Sequence, residues 1–297
     1  MFGKNINPFG ISRRTGRPLI LDGAMGSMLQ QSGIKSSGSM WMSKVNLDNP
    51  EIVYKIHREY ISAGADIITT NTFRTNPLAV ENFGARINQK NLVKESVKIA
   101  LSAAAGHDVF VAGSNPPAED CYQAVRKTSL KIIKDNHYKH IEYLMESGSH
   151  FILNETQSHF DEIKIISMFC AKNNIPFVMS LFTDEDLKLL SGEKITEVIK
   201  YLFDFDPIAI GVNCVMPGTF LKYYNNSSLS FNWGTYLNCG SGDFRDENIS
   251  CGISPENYAG IVNHLLKKQP SFVGSCCGST PKHTNAIKKL LDEKIRN

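Results

Sequence analysis

The stretch Ser271-Phe272-Val273-Gly274-Ser275-Cys276-Cys277-Gly278-Ser279-Thr280-Pro281 shows the pattern on which the whole chain is built. A short apolar run comes first, and continuous apolar runs are typical of parallel strands covered on both faces. Thr280 before Pro281 is typical of a helix start, with a cap residue ahead of a proline in the first turn. The stretch therefore predicts a strand, a loop that carries two adjacent cysteines, and a helix.

The same unit recurs along the 297 residues. The predicted strands are 18–22, 65–70, 108–114, 150–155, 176–182, 207–214, 232–238 and 271–276. The predicted helices between and after them are 50–63, 88–105, 130–147, 160–173, 194–203, 255–267 and 281–294, with a weaker short helix at 217–226. Eight alternations in about 300 residues favour a (β/α)8 barrel of the TIM type. A doubly wound open sheet is the alternative. We expect one domain over 1–297, with 1–17 as an N-terminal extension.

Polar residues stand at or just beyond the ends of six predicted strands. They are Asp22, Thr72, Glu155, Cys214, Asn238 and the pair Cys276-Cys277. In a barrel, the carboxyl ends of all strands meet on one face, where active sites are built. The placement predicts that these distant residues share one pocket.

Composition points away from several other classes of protein. The net charge is only +3, from 32 basic and 29 acidic residues, so neither nucleic acid nor an anionic membrane is predicted as a partner. The N-terminal segment lacks the apolar core of a signal peptide, and no 18-residue apolar run predicts a membrane span. Seven cysteines, an odd number, make a disulfide framework improbable and favour a reducing compartment, so we expect the cytoplasm.

Three cysteines at strand ends, Cys214, Cys276 and Cys277, point to a metal site. Catalytic zinc commonly has three protein ligands and one exchangeable position, and it binds thiolates in tetrahedral geometry. A fourth ligand is not evident, although Cys239 is a minor candidate as a ligand or redox partner. The eight histidines form no H-x3-H or H-E-x-x-H pattern.

The charge of such a site suggests its chemistry. Three thiolates on Zn²⁺ leave a formal charge of −1, which makes the ion a poor activator of water. It is better suited to holding an incoming thiol as thiolate, with a lowered pKa and a nucleophilic sulfur. The residues alone therefore predict alkyl transfer to a thiol.

Several motifs resemble those of the zinc-dependent homocysteine S-methyltransferases. The segment 274–281 resembles the family's G-G-C-C-G/R-T-T-P signature, and Gly211-Val212-Asn213-Cys214 resembles its G-[IV]-N-C segment. Residues 21–26 and 64–73 resemble the turn after its first strand and its second-strand motif, and 41–50 is similar to a stretch of its stand-alone members. The resemblance spans about residues 18–292.

This resemblance implies roles for individual residues. It implies a (β/α)8 barrel that methylates homocysteine to methionine, with Cys214, Cys276 and Cys277 as ligands of Zn²⁺. The remaining implied substrate contacts are Asp22 and Glu155 for the homocysteine amino group, Thr70 and Asn213 as polar support, and Trp41 and Phe73 near the methyl donor.

The chain departs from the family pattern in places, and the donor stays open. Gly113-Ser114-Asn115-Pro116-Pro117 stands where the family has G-S-x-G-P, and Ser275 replaces a commoner glycine. The compact length favours a small donor, S-methylmethionine or S-adenosylmethionine, with betaine as an alternative. A partner-dependent module that receives methyl groups from a corrinoid or folate protein, and a non-catalytic zinc- or thiol-binding barrel, are the rival interpretations. The oligomeric state is not predicted.

Overall fold

The computed structural model describes residues 7–84, 86–241 and 249–296, so residues 1–6 of the predicted N-terminal extension lie outside the described residues. The described residues form ten strands. They are Leu19–Ile20 (β1), Ile67–Thr69 (β2), Phe110–Asn115 (β3), Phe151–Gln157 (β4), Phe177–Leu181 (β5), Ala209–Asn213 (β6), Trp233–Leu237 (β7), Gly240–Ser241 (β8), Ser250–Cys251 (β9) and Phe272–Ser275 (β10).

Eight of these strands form one parallel sheet in the order β1-β10-β7-β6-β5-β4-β3-β2. The two outer strands meet through a parallel bridge between Leu21 and Ile67, where the Asp22 amide donates to the Ile67 carbonyl at 2.9 Å. The sheet therefore closes on itself as a (β/α)8 barrel. The predicted fold class is confirmed, and the open-sheet alternative is wrong.

Helices surround the barrel. They are Phe9–Thr15 (α1), Met25–Gln31 (α2), Val45–Asp48 (α3), Pro50–Ala63 (α4), Pro77–Phe83 (α5), Gln89–Ala104 (α6), Leu130–Glu146 (α7), Phe160–Lys172 (α8), Ile195–Leu202 (α9), Pro217–Asn226 (α10), Pro255–Leu265 (α11) and Pro281–Arg296 (α12). Short 3₁₀ turns occupy Gly38–Met40, Phe203–Phe205 and Leu266–Lys268. None of the described helices is long and apolar enough to cross a membrane.

Three of the predicted helices begin at a proline, as their predicted ranges require, but the residues before these prolines differ in how they cap the helix. Pro50, Pro255 and Pro281 each open a helix. Ser254 accepts a hydrogen bond from the Asn257 amide at 3.3 Å, as a helix cap does. Asn49 makes no such side-chain bond; its backbone (φ −153°, ψ 65°) lies outside the extended region that Ser254 adopts, and α3 ends just before it.

Alternate residues of the barrel strands fill two separate apolar layers. Leu19, Ile67, Phe151, Phe272 and neighbours point into the barrel, whereas a larger cluster that includes Ile152 and Val273 packs between the strands and the outer helices. Phe9 of α1 belongs to the inner layer and is only 1% exposed, in ring contact with Phe151 and Phe272. The interior of the barrel is therefore filled beside Phe9, and the cavity described below opens at the carboxyl ends of the strands.

Candidate metal centre and substrate cavity

A cavity of about 1190 Å³ opens at the carboxyl ends of the barrel strands. Eight of the nine predicted site residues line it: Asp22, Trp41, Thr70, Phe73, Glu155, Cys214, Cys276 and Cys277. Asn213 is fully buried and lies behind the cavity wall. The strand ends thus bring residues from distant parts of the chain to one place, as the barrel topology requires.

The three predicted cysteines form one cluster. Their sulfurs all lie within 4.8 Å of one another. The Sγ of Cys277 is 3.8 Å from that of Cys214 and 3.9 Å from that of Cys276. Cys214 and Cys276 are joined as a disulfide, a pairing that the sequence does not predict. It follows from the convergence itself, because three thiols placed to share one ion are also within reach of one another.

The donor set fits a thiophilic metal ion. Thiolates about 2.3 Å from a tetrahedral ion lie roughly 3.8 Å apart, which matches the two distances from Cys277. Burial raises the pKa of the Cys277 thiol to about 11, so this thiol stays protonated near neutral pH unless a cation offsets the burial. With Cys214 and Cys276 as separate thiolates, the cluster would hold such a cation from three sides.

Backbone geometry around the cluster explains how two adjacent cysteines reach one point. Gly278 has φ +78°, and a Cβ built there would lie 2.5 Å from the Gly240 Cα. Only glycine fits this close crossing of two backbones. The crossing is held by a hydrogen bond of 2.9 Å from the Cys239 amide to the Cys277 carbonyl. The Cys239 thiol itself contacts the Leu237 carbonyl, and Cys239 is not among the three clustered sulfurs.

Asp22 is held at the cavity wall by Thr69. The Thr69 amide donates to one carboxylate oxygen at 2.9 Å, and the Thr69 hydroxyl donates to the other. Burial raises the pKa of Asp22 to about 8, although the bonds from Thr69 act in the opposite direction. The charge of nearby Glu155 also raises the pKa of Asp22, so the two carboxyls interact electrostatically.

Glu155 is the second buried carboxyl of the cavity. The Ser114 hydroxyl donates to it, and burial raises its pKa to about 7. Within the described parts of the chain, neither Glu155 nor Asp22 has a basic side chain within 4.0 Å. Two buried carboxyls without a cationic partner form a site that favours a bound ammonium group.

Asn213 fixes the strand ends that carry Glu155 and Cys214. Its side chain accepts from the Thr156 amide at 2.9 Å and from the Ser180 hydroxyl at 2.7 Å, and it donates to the Thr156 hydroxyl at 2.9 Å. Thr156 and Cys214 both have φ +57°, which is rare for residues with a Cβ and extreme for a β-branched one. The Asn213 side chain of β6 thus bonds to Thr156 of β4 and Ser180 of β5.

Thr70 also acts within the wall. Its hydroxyl pairs with that of Thr72 at 2.7 Å and accepts from the Ser114 amide at 3.0 Å. Since Ser114 donates to Glu155, Thr70 supports the second carboxyl through one intermediate residue.

An aromatic pair borders the outer part of the cavity. Trp41 and Phe73 meet edge to face, with ring centroids 6.0 Å apart. Trp41 has φ +44°, and its indole lies so close to Gly26 that a Cβ at that position would be 2.0 Å from a ring carbon. The Arg74 guanidinium lies 5.3 Å from the centroid of Phe73.

The segment 113–117, which departs from the family's sequence pattern, lies directly beside the wall of the cavity. The Asn115 side chain is buried and donates to the Asn154 oxygen at 2.7 Å, and the Pro117 carbonyl accepts from the Asn76 side chain at 3.3 Å. The next residue, Ala118, donates its amide to Glu162 at 2.9 Å and begins the segment 118–123, which lines the cavity.

Four residues of the site were missed from the sequence: Thr69, Ser114, Gly26 and Arg74. Thr69 and Ser114 lie at strand ends, the same signal that identifies Asp22 and Glu155. Arg74 follows Phe73 directly. No local signal identifies Gly26, because its role depends on a ring that arrives from Trp41.

A cluster of three sulfurs lies on the carboxyl-end face of this (β/α)8 barrel, together with two buried carboxyls that have no basic partner among the described residues. These features define the class as a barrel with a candidate metal site inside a small-molecule cavity. The sequence model of the homocysteine S-methyltransferases matches residues 19–291. The chain belongs to that family and is a methyltransferase.

Individual relatives agree with this assignment. The chain is 26% identical to "Homocysteine S-methyltransferase 2" of Zea mays over 94% of this chain and 91% of that protein. It is 25% identical to "Homocysteine S-methyltransferase" of Escherichia coli over 91% of this chain and 94% of that protein. It is also 25% identical to "Selenocysteine Se-methyltransferase" of Brassica oleracea var. italica over 94% of this chain and 90% of that protein.

The fold has a counterpart among solved structures. The metallated form of the E. coli homocysteine methyltransferase MmuM superposes with a TM-score of 0.75 at 24% identity, covering 92% of this chain and 96% of that one. The oxidised form of the same protein gives a TM-score of 0.74 at 24% identity, covering 92% and 95%.

Proposed function

We propose that this protein transfers a methyl group from a small sulfonium donor to the thiol of L-homocysteine, with zinc held by Cys214, Cys276 and Cys277. The observation that carries the proposal is the common cavity of three converging sulfurs and two carboxyls without a cationic partner among the described residues. Homocysteine has a thiol at one end and an ammonium group at the other, so a single molecule matches both features.

The chain's own residues bind and orient the acceptor. Asp22 and Glu155 hold the ammonium group, and Thr69 and Ser114 hold those carboxyls in place. Zinc, when bound by the three cysteines, lowers the pKa of the acceptor thiol and keeps its sulfur nucleophilic. Asn213 keeps the strand ends that carry Glu155 and Cys214 in register, so that both ends of the acceptor are fixed together.

The cavity then brings the donor methyl group in line with the acceptor sulfur. The acceptor thiol releases its proton to solvent when it binds as thiolate, and the new S–CH₃ bond takes its electron pair from that sulfur. The donor's S–CH₃ bond breaks, and its electron pair stays on the donor sulfur, which leaves as a neutral thioether. Holding two reactants in this geometry supplies much of the rate, and no covalent enzyme intermediate is required.

The outer wall favours a donor that carries a positive charge. The faces of Trp41 and Phe73 attract sulfonium and quaternary ammonium groups. We favour S-methylmethionine or S-adenosylmethionine over betaine. The relatives of Zea mays and E. coli bear the name homocysteine S-methyltransferase, which supports the acceptor and leaves the donor to experiment. We also propose a cytoplasmic location, since the sulfur cluster needs a reducing environment to hold a metal ion.

A two-part experiment tests the proposal. Zinc content is measured on the reduced protein with and without homocysteine, and methionine formation is followed with S-methylmethionine, S-adenosylmethionine and betaine in turn. We expect one zinc per chain and turnover with a sulfonium donor. Turnover only after addition of a methyl-corrinoid or folate protein would favour the partner-dependent module. One zinc whose environment does not respond to homocysteine, together with no turnover, would favour a binding protein.

A further inference from the structure

We infer that Arg74 binds the carboxylate of the methyl donor, so that the cavity selects onium donors that also carry a carboxylate. The inference rests on the proposed function and extends it to the recognition of the second substrate.

Arg74 lies in the wall of the cavity and has no ionic partner among the described residues. One guanidinium nitrogen, Nη1, donates to the Glu119 carbonyl at 2.8 Å. Over the described ranges of the chain, no carboxylate oxygen lies within 4.0 Å of its guanidinium, and no other hydrogen bond of that group is formed. The rest of the fork is therefore available to a ligand in the cavity.

The acidic residues nearest in sequence to the Glu119 contact are engaged elsewhere. Glu119 accepts from the amides of Lys127 and Thr128, at 3.0 and 3.3 Å. Asp120 accepts from the Tyr122 amide at 3.0 Å. Both carboxylates therefore stabilise the turn that follows Ala118, and among the described residues neither forms an ion pair with Arg74 within 4.0 Å.

The position of Arg74 suits the far end of a donor. Cys121 is buried and lines the same cavity as Arg74 and Cys277. Arg74 contacts the Phe73 ring and the Glu119 carbonyl, so it belongs to the part of the cavity wall formed by the aromatic pair and the 118–123 segment. A donor whose methyl group points at the cluster would thus extend its other end towards Arg74.

The charge of Arg74 also limits which donors can bind. The Arg74 guanidinium lies 5.3 Å from the Phe73 ring centroid, so one face of Phe73 already has a cation and Trp41 supplies the larger share of the attraction for an onium group. A second, isolated cation nearby is repelled. A carboxylate on the same donor removes this repulsion and pairs with the guanidinium fork through two parallel hydrogen bonds.

The test compares two donors that differ only in the carboxylate, S-methylmethionine and its carboxyl methyl ester, in three variants. Arg74→Gln removes the charge, Arg74→Lys keeps the charge but loses the fork, and Arg86→Gln makes the same exchange at an exposed arginine outside the cavity. We expect Arg74→Gln to raise the KM for S-methylmethionine roughly 10- to 100-fold, as loss of a charged hydrogen bond does. In Arg74→Gln, the KM for homocysteine and the turnover of the ester should stay within about twofold of the wild-type values. The KM of Arg74→Lys for S-methylmethionine should lie between those of Arg74→Gln and the wild type. The KM of Arg86→Gln should match that of the wild type.

The outcomes separate this inference from alternatives. Equal losses with S-methylmethionine and with its ester would show that Arg74 only holds the 118–123 segment in place, and would overturn the inference. Unchanged KM values in Arg74→Gln would also overturn it.

A direct measurement of donor binding distinguishes failure of the Arg74 inference from failure of the proposed function. If the wild type forms no methionine with any donor, the proposed function fails. Calorimetric titration with S-methylmethionine, without homocysteine, then still decides the role of Arg74. Weaker binding to Arg74→Gln than to Arg86→Gln supports the inference, and equal affinity contradicts it.

Discussion

At the scale of single residues, the two buried carboxyls determine how substrate binding should respond to pH. Burial raises the pKa of Asp22 to about 8 and that of Glu155 to about 7, so both are largely protonated at pH 6. Only the ionised forms attract an ammonium group, so binding strengthens as the pH rises through these values. Methionine, the proposed product, has the ammonium group but no thiol, and it isolates this effect from that of the metal. We expect its affinity, measured by calorimetry, to rise by up to about tenfold per pH unit between pH 6 and 8.

The matched variant for that experiment is Asp22→Asn. The amide cannot ionise, so methionine should bind more weakly at pH 8 and its affinity should depend less on pH. A wild-type affinity that is flat between pH 6 and 8 would show that these carboxyls do not contact the ammonium group.

The sulfur cluster gives a second prediction at this scale. Cys276→Ala removes one of three converging ligands, so zinc content should fall from about one per chain to near zero, and methionine formation should be lost with it. Metal analysis of the reduced protein measures the first effect, and a steady-state assay measures the second. Cys251→Ala is the control, because Cys251 is exposed and lies outside the cluster. Retention of full zinc by Cys276→Ala would mean that the metal is bound elsewhere.

At the scale of elements, the turn between β10 and α12 places Cys277. Gly278→Ala introduces a side chain at φ +78° and sets its Cβ 2.5 Å from the Gly240 Cα, so the two backbones must separate. We expect a loss of roughly 1–3 kcal/mol in the free energy of unfolding, together with weaker zinc binding. Urea unfolding and zinc titration measure these effects.

Gly16→Ala is the matched control for Gly278→Ala. Gly16 also has positive φ, +66°, but nothing lies within 4 Å of a Cβ built there. It therefore carries the conformational cost without the collision, and its zinc affinity should stay at the wild-type value. Equal zinc affinity in both variants would show that the close crossing does not position Cys277.

Element patterns explain how much of the fold could be predicted from the sequence. All eight barrel strands were predicted, and α4 and α10 begin and end at the predicted residues, because apolar runs and proline starts are local signals. The helices α1, α2, α3 and α5 were missed. They have only four to seven residues, too few for a helical period to stand out from a loop.

The same distinction between local and distant signals applies to the residues of the site. Its two carboxyls and three cysteines could be predicted because they stand at strand ends, whereas Arg74 lies in a loop and was missed. The disulfide, the Thr69 and Asn213 contacts and the fit of Trp41 against Gly26 depend on distances between segments far apart in sequence. Such distances are set by packing of the whole barrel, and no short stretch of the sequence carries them.

At the scale of the whole molecule, different parts of the barrel along its axis carry the substrate cavity and the packing that stabilises the fold. The cavity lies at the carboxyl ends of the strands, and Phe9 fills the inner layer with Phe151 and Phe272. In barrels of this type, the carboxyl-end face carries function and the opposite face carries stability.

Phe9→Ala tests this separation. Removal of a ring that is 1% exposed leaves a hole in the inner layer, and we expect a loss of about 3–5 kcal/mol in the free energy of unfolding. The KM values for homocysteine and donor should stay within about twofold at a temperature where the variant is folded. Phe203→Ala is the control for stability, since Phe203 is 52% exposed and its loss should cost far less. Denaturant unfolding and steady-state kinetics on the same preparations measure both effects. A large rise in either KM for Phe9→Ala, without a matching effect in Phe203→Ala, would contradict this separation. It would show that packing in the inner layer affects the geometry of the cavity.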